Sequence, residues 1–144
     1  MSERGDRDPR DPAAWPLLFT EAEANALLPE IVPLLMEMRA RKVELDTYLA
    51  ALESLTPAMR LNGHAADARE LEARIHDLST ELAAGVDHLN DQGIEIKSLD
   101  HGLIDFPSRR GNRVVYLCWQ VGEPAIRYWH EIDGGFAGRQ PLAP

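Results

Sequence analysis

The residues able to hold a cation or an anionic ligand concentrate in the last third of this chain. His130 stands between Trp129 and Glu131, with Glu123 and Asp133 in the flanking turns. An imidazole among carboxylates is a donor set that hard and borderline divalent metals take up. The candidate metal ligands are Asp105, Glu123, His130 and Glu131, a nitrogen and oxygen set suited to zinc, manganese or iron. No tight motif supports the set, because a His-Glu-x-x-His pattern starting at His130 meets Gly134 where the second histidine belongs. Neighbours on a regular strand point to opposite faces, so His130 and Glu131 can share one ion only where the strand bulges or ends. Gly134-Gly135 just beyond offers such an ending.

Arg109, Arg110 and Arg113 form the one basic concentration in the chain. Arg109 or Arg127 is a candidate clamp for a small anionic ligand, since a guanidinium fork matches a carboxylate or phosphate. A solubilising hairpin tip explains the same arginines. Cys118 sits mid-strand between Leu117 and Trp119 and reads as a small buried apolar residue. Asp100-His101 reads as turn chemistry, and His64, His76 and His88 lie on or beside acidic helices, where solvation is expected. The sequence has no Gly-rich phosphate loop, Ser-centred elbow or Cys-x-x-Cys pair, and no catalytic residue is assigned.

Elements that could position these residues follow from periodicity. Thr20-Glu21-Ala22-Glu23 reads as a capping box at a helix start. Leu28, Ile31, Leu35, Met38, Lys42, Leu45, Leu49 and Leu52 then recur at spacings of three and four, a coiled-coil-like seam with one polar member. Pro29 and Pro33 predict a short helix to about Leu28, a bend, and a long helix to about Ser54. Leu71, Ile75, Leu78, Leu82 and Leu89 carry a second seam, broken by Gly85, after a turn marked by Thr56-Pro57 and Asn62-Gly63. Together they predict an antiparallel helical hairpin over 19–92. Its apolar belt is wider than one partner needs, which predicts packing on the C-terminal half at one end and on a second copy, as a homodimer, at the other.

Residues 93–144 predict a small, mainly antiparallel sheet of three to four strands and a Gly-rich tail, making the fold α+β. Val115, Leu117, Trp119 and Val121 form an apolar face that belongs against the helices, with Ile104 and Phe106 beside them. In the last strand Ile126, Tyr128, His130 and Ile132 are the more apolar set. The opposite faces collect Asp105, Tyr116, Cys118, Gln120, Arg127, Trp129 and Glu131, either as a ligand surface or as cross-strand ion pairs such as Asp105–Arg127.

The chain has 144 residues, 44% of them apolar and 27% charged, which fits one globular domain over 19–144 behind a disordered tail over 1–18. Net charge is -9, and segments 1–18, 19–92 and 93–144 carry -1, -8 and 0. An acidic chain repels phosphate backbones, so no nucleic acid is expected as a partner. No run of 18 apolar residues predicts a membrane span, and the charged first twelve residues lack a signal-peptide core, so a cytoplasmic location is expected. A single cysteine excludes an intramolecular disulfide.

Several blocks of residues are also familiar as a set. Phe19-Thr20, Glu23 to Glu30, Gly102 to Pro107, Tyr116 to Trp119, Gly122-Glu123-Pro124, Tyr128 to Glu131 and Gly135 to Leu142 resemble the small bacterial domain-of-unknown-function family numbered 2203. The resemblance spans about residues 19–142 and implies a cytosolic bacterial protein with one intact domain, without implying an activity. Two functions from different classes follow from the residues: a homodimeric interaction or regulatory module working through its helices, and a protein binding a divalent metal or small anion in its C-terminal half.

Overall fold

The computed structural model describes residues 7–143, so the part of the expected tail over 1–6 lies outside the described residues. Helix α1 spans Glu21–Glu53, a single helical turn α2 spans Pro57–Met59, and α3 spans Ala65–Asp91. Strands β1 (Glu95–Ser98), β2 (Leu103–Arg110), β3 (Arg113–Gln120), β4 (Tyr128–Glu131) and β5 (Gln140–Pro141) follow. The fold is α+β. No helix among the described residues is long and apolar enough to cross a membrane.

The capping box forms as its residues dictate. Thr20 Oγ1 accepts from the Glu23 amide at 3.1 Å, and the Glu23 carboxylate accepts from the Thr20 amide at 2.9 Å. The expected end of a first helix near Leu28 is not found: Pro29 and Pro33 lie inside one continuous helix. Both prolines are exposed, while Leu28, Ile31, Leu35 and Met38 stay buried on the other side of the helix. Helices α1 and α3 run in opposite chain directions, as the Arg41–Glu81 ion pair at 3.4 Å and the Arg74 guanidinium over the Tyr48 ring show. Gly85 is less a break in the seam than a site of close approach. A Cβ there would lie 2.8 Å from Met38 Sδ, so a larger residue would push the flexible end of the Met38 side chain aside.

All strand pairs are antiparallel and their order is β1-β2-β3-β4-β5. Five strands replace the three or four expected, because Gln140–Pro141, within the Gly-rich tail, pairs with β4. The β2–β3 connection is a two-residue turn, with Arg110 opposite Arg113. At the other end of β2, Gly102 adopts φ +63° against Val121, whose Cγ2 would lie 2.3 Å from a Cβ. Only glycine fits this turn.

One sheet face packs on the helices through Ile104, Phe106, Val115, Leu117 and Trp119, and Trp119 is buried as expected. The faces of β4 are the reverse of the expectation. Leu117 opposes Trp129 and Tyr116 opposes His130, so Trp129 joins the helix-side core and His130 turns outward. The hydrogen-bond register places the larger apolar ring on the helix side, and a shift of one residue would bury His130 there instead.

The outer face is also covered, which is why Tyr116 and Cys118 are buried together with Trp119. Trp15, 5% exposed, packs edge-on to Tyr116 at 6.1 Å, with Val114, Leu18 and Ile132 around it. The Val114 amide donates to the Pro9 carbonyl and the Phe19 amide to that of Pro107. Residues 7–18 thus form part of the fold rather than a disordered tail. The alternating Asp, Arg and Pro of this stretch conceal the one aromatic anchor that orders it.

Candidate functional site

Register builds the site. Glu95 opposes Asp105, Asp105 opposes Cys118, and Cys118 opposes Tyr128, one row across four strands of the outer face. Two residues along β3, Tyr116 opposes His130. The His130 ring reaches over β3 to Asp105, two strands away, and Nε2 lies 2.9 Å from Asp105 Oδ2. Its Nδ1 lies 2.7 Å from the Glu131 carbonyl oxygen. Both nitrogens face acceptors, and a neutral imidazole has only one N–H to donate. Burial disfavours the charged ring, but the Asp105 hydrogen bond and charge outweigh it and hold the His130 pKa above its ordinary value.

Asp105 is wholly buried, and its second oxygen, Oδ1, has no hydrogen-bond partner among the described residues. Cys118 lies beside it, also wholly buried. One donor atom from each of Asp105, Cys118 and His130 lies within 4.8 Å of the others. Burial first, and the Asp105 charge second, push the Cys118 thiol up to about 12. At neutral pH it is a protonated thiol and not a nucleophile.

Two neighbouring networks frame this group. Tyr116 donates its hydroxyl to Glu95 Oε2 at 2.8 Å, while Lys97 Nζ donates to Glu95 Oε1 at 2.9 Å and sits 4.3 Å from the Tyr116 ring centroid. Burial and the Glu95 carboxylate raise the Tyr116 pKa well above its usual value, so the phenol stays protonated. On the other flank, Arg139 donates to the Cys118 carbonyl at 3.3 Å and to Glu123 Oε1 at 2.6 Å. Its guanidinium lies 4.1 Å from the Tyr128 ring centroid. These contacts fasten the C-terminal segment beside the site.

The four expected metal ligands do not assemble. Asp105 and His130 come together, but Glu123 accepts from the Gln120 amide and from Arg139, and Glu131 pairs with Arg113. Strand β4 is regular through Glu131, which opposes Val115, so the bulge that could have brought Glu131 to the His130 face is missing. Cys118 takes the place of the two glutamates. Alternation on β2 and β3 alone aligns Asp105 with Cys118; only the β4 register adds His130. Arg127 makes no ion pair with Asp105, which is buried against His130 while Arg127 is exposed. Nor does Arg127 join Arg109. Arg109 opposes Val114 at one end of β3, and Arg127 precedes Tyr128, which opposes Cys118 towards the other end. His101 bonds Ser98 in its turn, and the helix histidines His64 and His88 bond Asp67 and Gln92.

Comparison with curated proteins and with solved structures finds no match to this chain. A sequence model for an uncharacterized conserved protein family, DUF2203, matches residues 17–142, and the chain, with its buried Asp105–Cys118–His130 group, belongs to that family.

Proposed function

We propose that the protein binds a divalent metal ion, of the zinc class, through Asp105, Cys118 and His130. The observation carrying this reading is the unpartnered Asp105 Oδ1 beside a thiol and an imidazole, all three residues being 2% exposed or less. A buried carboxylate oxygen without a donor is costly unless a cation satisfies it. The His130 Nδ1 contact to the Glu131 carbonyl is the outer-shell hydrogen bond that metal-bound histidines use, and Nε2 becomes the ligand when the ion displaces the proton it shares with Asp105 Oδ2. Zinc donors at about 2.0–2.3 Å from the ion lie about 3.5 Å apart in a tetrahedron, so small side-chain shifts suffice. Thiolate ligation favours zinc or iron over manganese. Three protein ligands leave a fourth position for water or a small ligand.

The test is titration of the chelator-stripped protein with zinc and, for its spectrum, cobalt(II). Zinc at about a hundred times its dissociation constant should stabilise the fold by about 2.7 kcal/mol, raising Tm by about 10 °C. Cobalt should give a thiolate charge-transfer band that Cys118→Ser abolishes, and His130→Ala should abolish the thermal shift. A wild-type protein whose Tm and spectrum ignore both metals makes the cluster a structural Asp–His pair and sinks the reading.

A second reading, self-association through the helices, has an observation of its own. The apolar members of the α1 seam are buried from Leu28 to Leu45, yet Leu49, further along it, is 43% exposed, and Leu61 in the α1–α3 connection is 86% exposed. Helix α1, at about 1.5 Å per residue, is about 50 Å long, whereas an eight-residue strand spans about 27 Å, so the sheet cannot cover the whole seam. A second copy packing tip to tip as a four-helix interface would cover it. Light scattering at micromolar concentration should give about twice the 16.1 kDa chain mass. Leu49→Glu with Leu52→Glu should return it to the chain mass with helix content unchanged. A wild-type protein already at the chain mass refutes this reading.

A further inference from the structure

A separate cleft lies on the helix side of the sheet, opposite Asp105, Cys118 and His130. It is about 330 Å³ in volume and opens between the start of α1 and the β2–β3 end of the sheet. That volume is at the small end of the range for ligand sites. We propose that this cleft binds a small organic carboxylate with an apolar body.

Three features on its polar side converge on a negative charge. Ser108 is 7% exposed, lines the cleft, and among the described residues its hydroxyl makes no hydrogen bond. Arg109 and Arg110 follow it on β2 and also line the cleft. Arg109 opposes Val114, so its side chain alternates to the outer face, and its Nε donates to the Gly111 carbonyl at 3.1 Å. Arg110, two residues on from Ser108, shares the Ser108 face and carries the fork that can meet an anion. Arg110 lies 4.2 Å from the Trp129 ring centroid, stacked rather than ion-paired. The third feature is the α1 N-terminus. Thr20 caps the Glu23 amide, and the amides of Glu21 and Ala22 have no partner among the described residues. Together with the dipole of a 33-residue helix they favour an anion at this end.

The walls decide which anion. Leu18, Phe19, Val115, Leu117 and Leu142 give the cleft an apolar interior, which bare phosphate cannot use. Glu21 also lines it and sets its own negative charge against a dianion. A single carboxylate on an aliphatic or aryl body satisfies both constraints. The segment carrying Leu18 and Phe19 is held by the Phe19–Pro107 backbone hydrogen bond and by edge-on packing of Phe19 against Phe106 at 5.4 Å, so this wall is preformed.

Calorimetric titration of the full chain with 4-phenylbutyrate, 4-phenylbutanol and inorganic phosphate tests the assignment. The acid should bind, and the alcohol, which lacks the charge, should bind about tenfold or more weakly, the loss expected for charge-assisted hydrogen bonds. Phosphate should neither bind nor compete. Ser108→Ala and Arg110→Ala should each weaken the acid several-fold with unchanged circular dichroism, and Arg110→Lys should recover part of the loss. Arg127→Ala, away from the cleft, should leave binding as in wild type. Equal affinity for acid and alcohol, competition by phosphate, indifference to Ser108 and Arg110, or no heat with any probe overturns the proposal. Cys118→Ser should bind the acid like wild type, so failure of the metal site and failure of this cleft are separable.

Discussion

Replacing Asp105 by alanine is expected to destabilise the metal-stripped protein by about 3–5 kcal/mol, the cost of removing one partner from a buried ion pair. The pair is closed to solvent, with side-chain exposures of 3% for His130 and 0% for Asp105. Loss of the carboxylate leaves the His130 Nε2 proton without an acceptor in a site that water does not reach. Asp105→Asn should cost less, because its amide oxygen can still accept that hydrogen bond. A double-mutant cycle with His130→Ala, read by urea denaturation, isolates the coupling: the double variant should lose clearly less than the two single losses added together. Single losses that add to within about 0.5 kcal/mol would mean that the two residues act independently and the contact has no energetic weight.

Trp15→Ala is expected to cost a similar amount, about 3–5 kcal/mol, the range for truncating a large buried aromatic. Trp15 is the anchor of residues 7–18. Its ring packs on Tyr116 with Val114 and Ile132, and its Nε1 donates to the Asp8 carbonyl at 3.1 Å. Removing it opens a cavity on the outer face and releases the strap that covers β3. Amide hydrogen exchange should then rise at Val114, whose N–H bonds the Pro9 carbonyl, and remain slow on the helix side at Leu117. A loss below about 0.5 kcal/mol, typical of an exposed position, would show that the strap contributes nothing to the fold.

Local rules carried much of this architecture. The capping box at Thr20–Glu23 starts α1 where the sequence places it, because both of its hydrogen bonds lie within one turn. The seam from Leu28 to Leu45 is buried, and alternation along β3 separates Val115, Leu117 and Trp119 from Tyr116 and Cys118. Local rules also misled where their effect depends on surroundings. Pro29 and Pro33 stand on the exposed side of α1, and burial of Leu28, Ile31, Leu35 and Met38 on the other side carries the helix through them.

Local pattern alone accounts for the two seams, the capped start of α1, the β2 and β3 part of the helix-side core and the common face of Asp105, Tyr116 and Cys118. Each follows from contacts between residues close in the chain or from the fixed two-residue period of a strand. Long-range packing sets the rest: β4 turns His130 outward, Asp105 meets it two strands away, Glu123 and Glu131 are claimed by Arg139 and Arg113, and Trp15 closes the outer face. Those outcomes rest on pairing register and on segments 16 to more than 100 residues apart. Period two is indifferent to which face is inside until the neighbouring strand and the covering layer are in place.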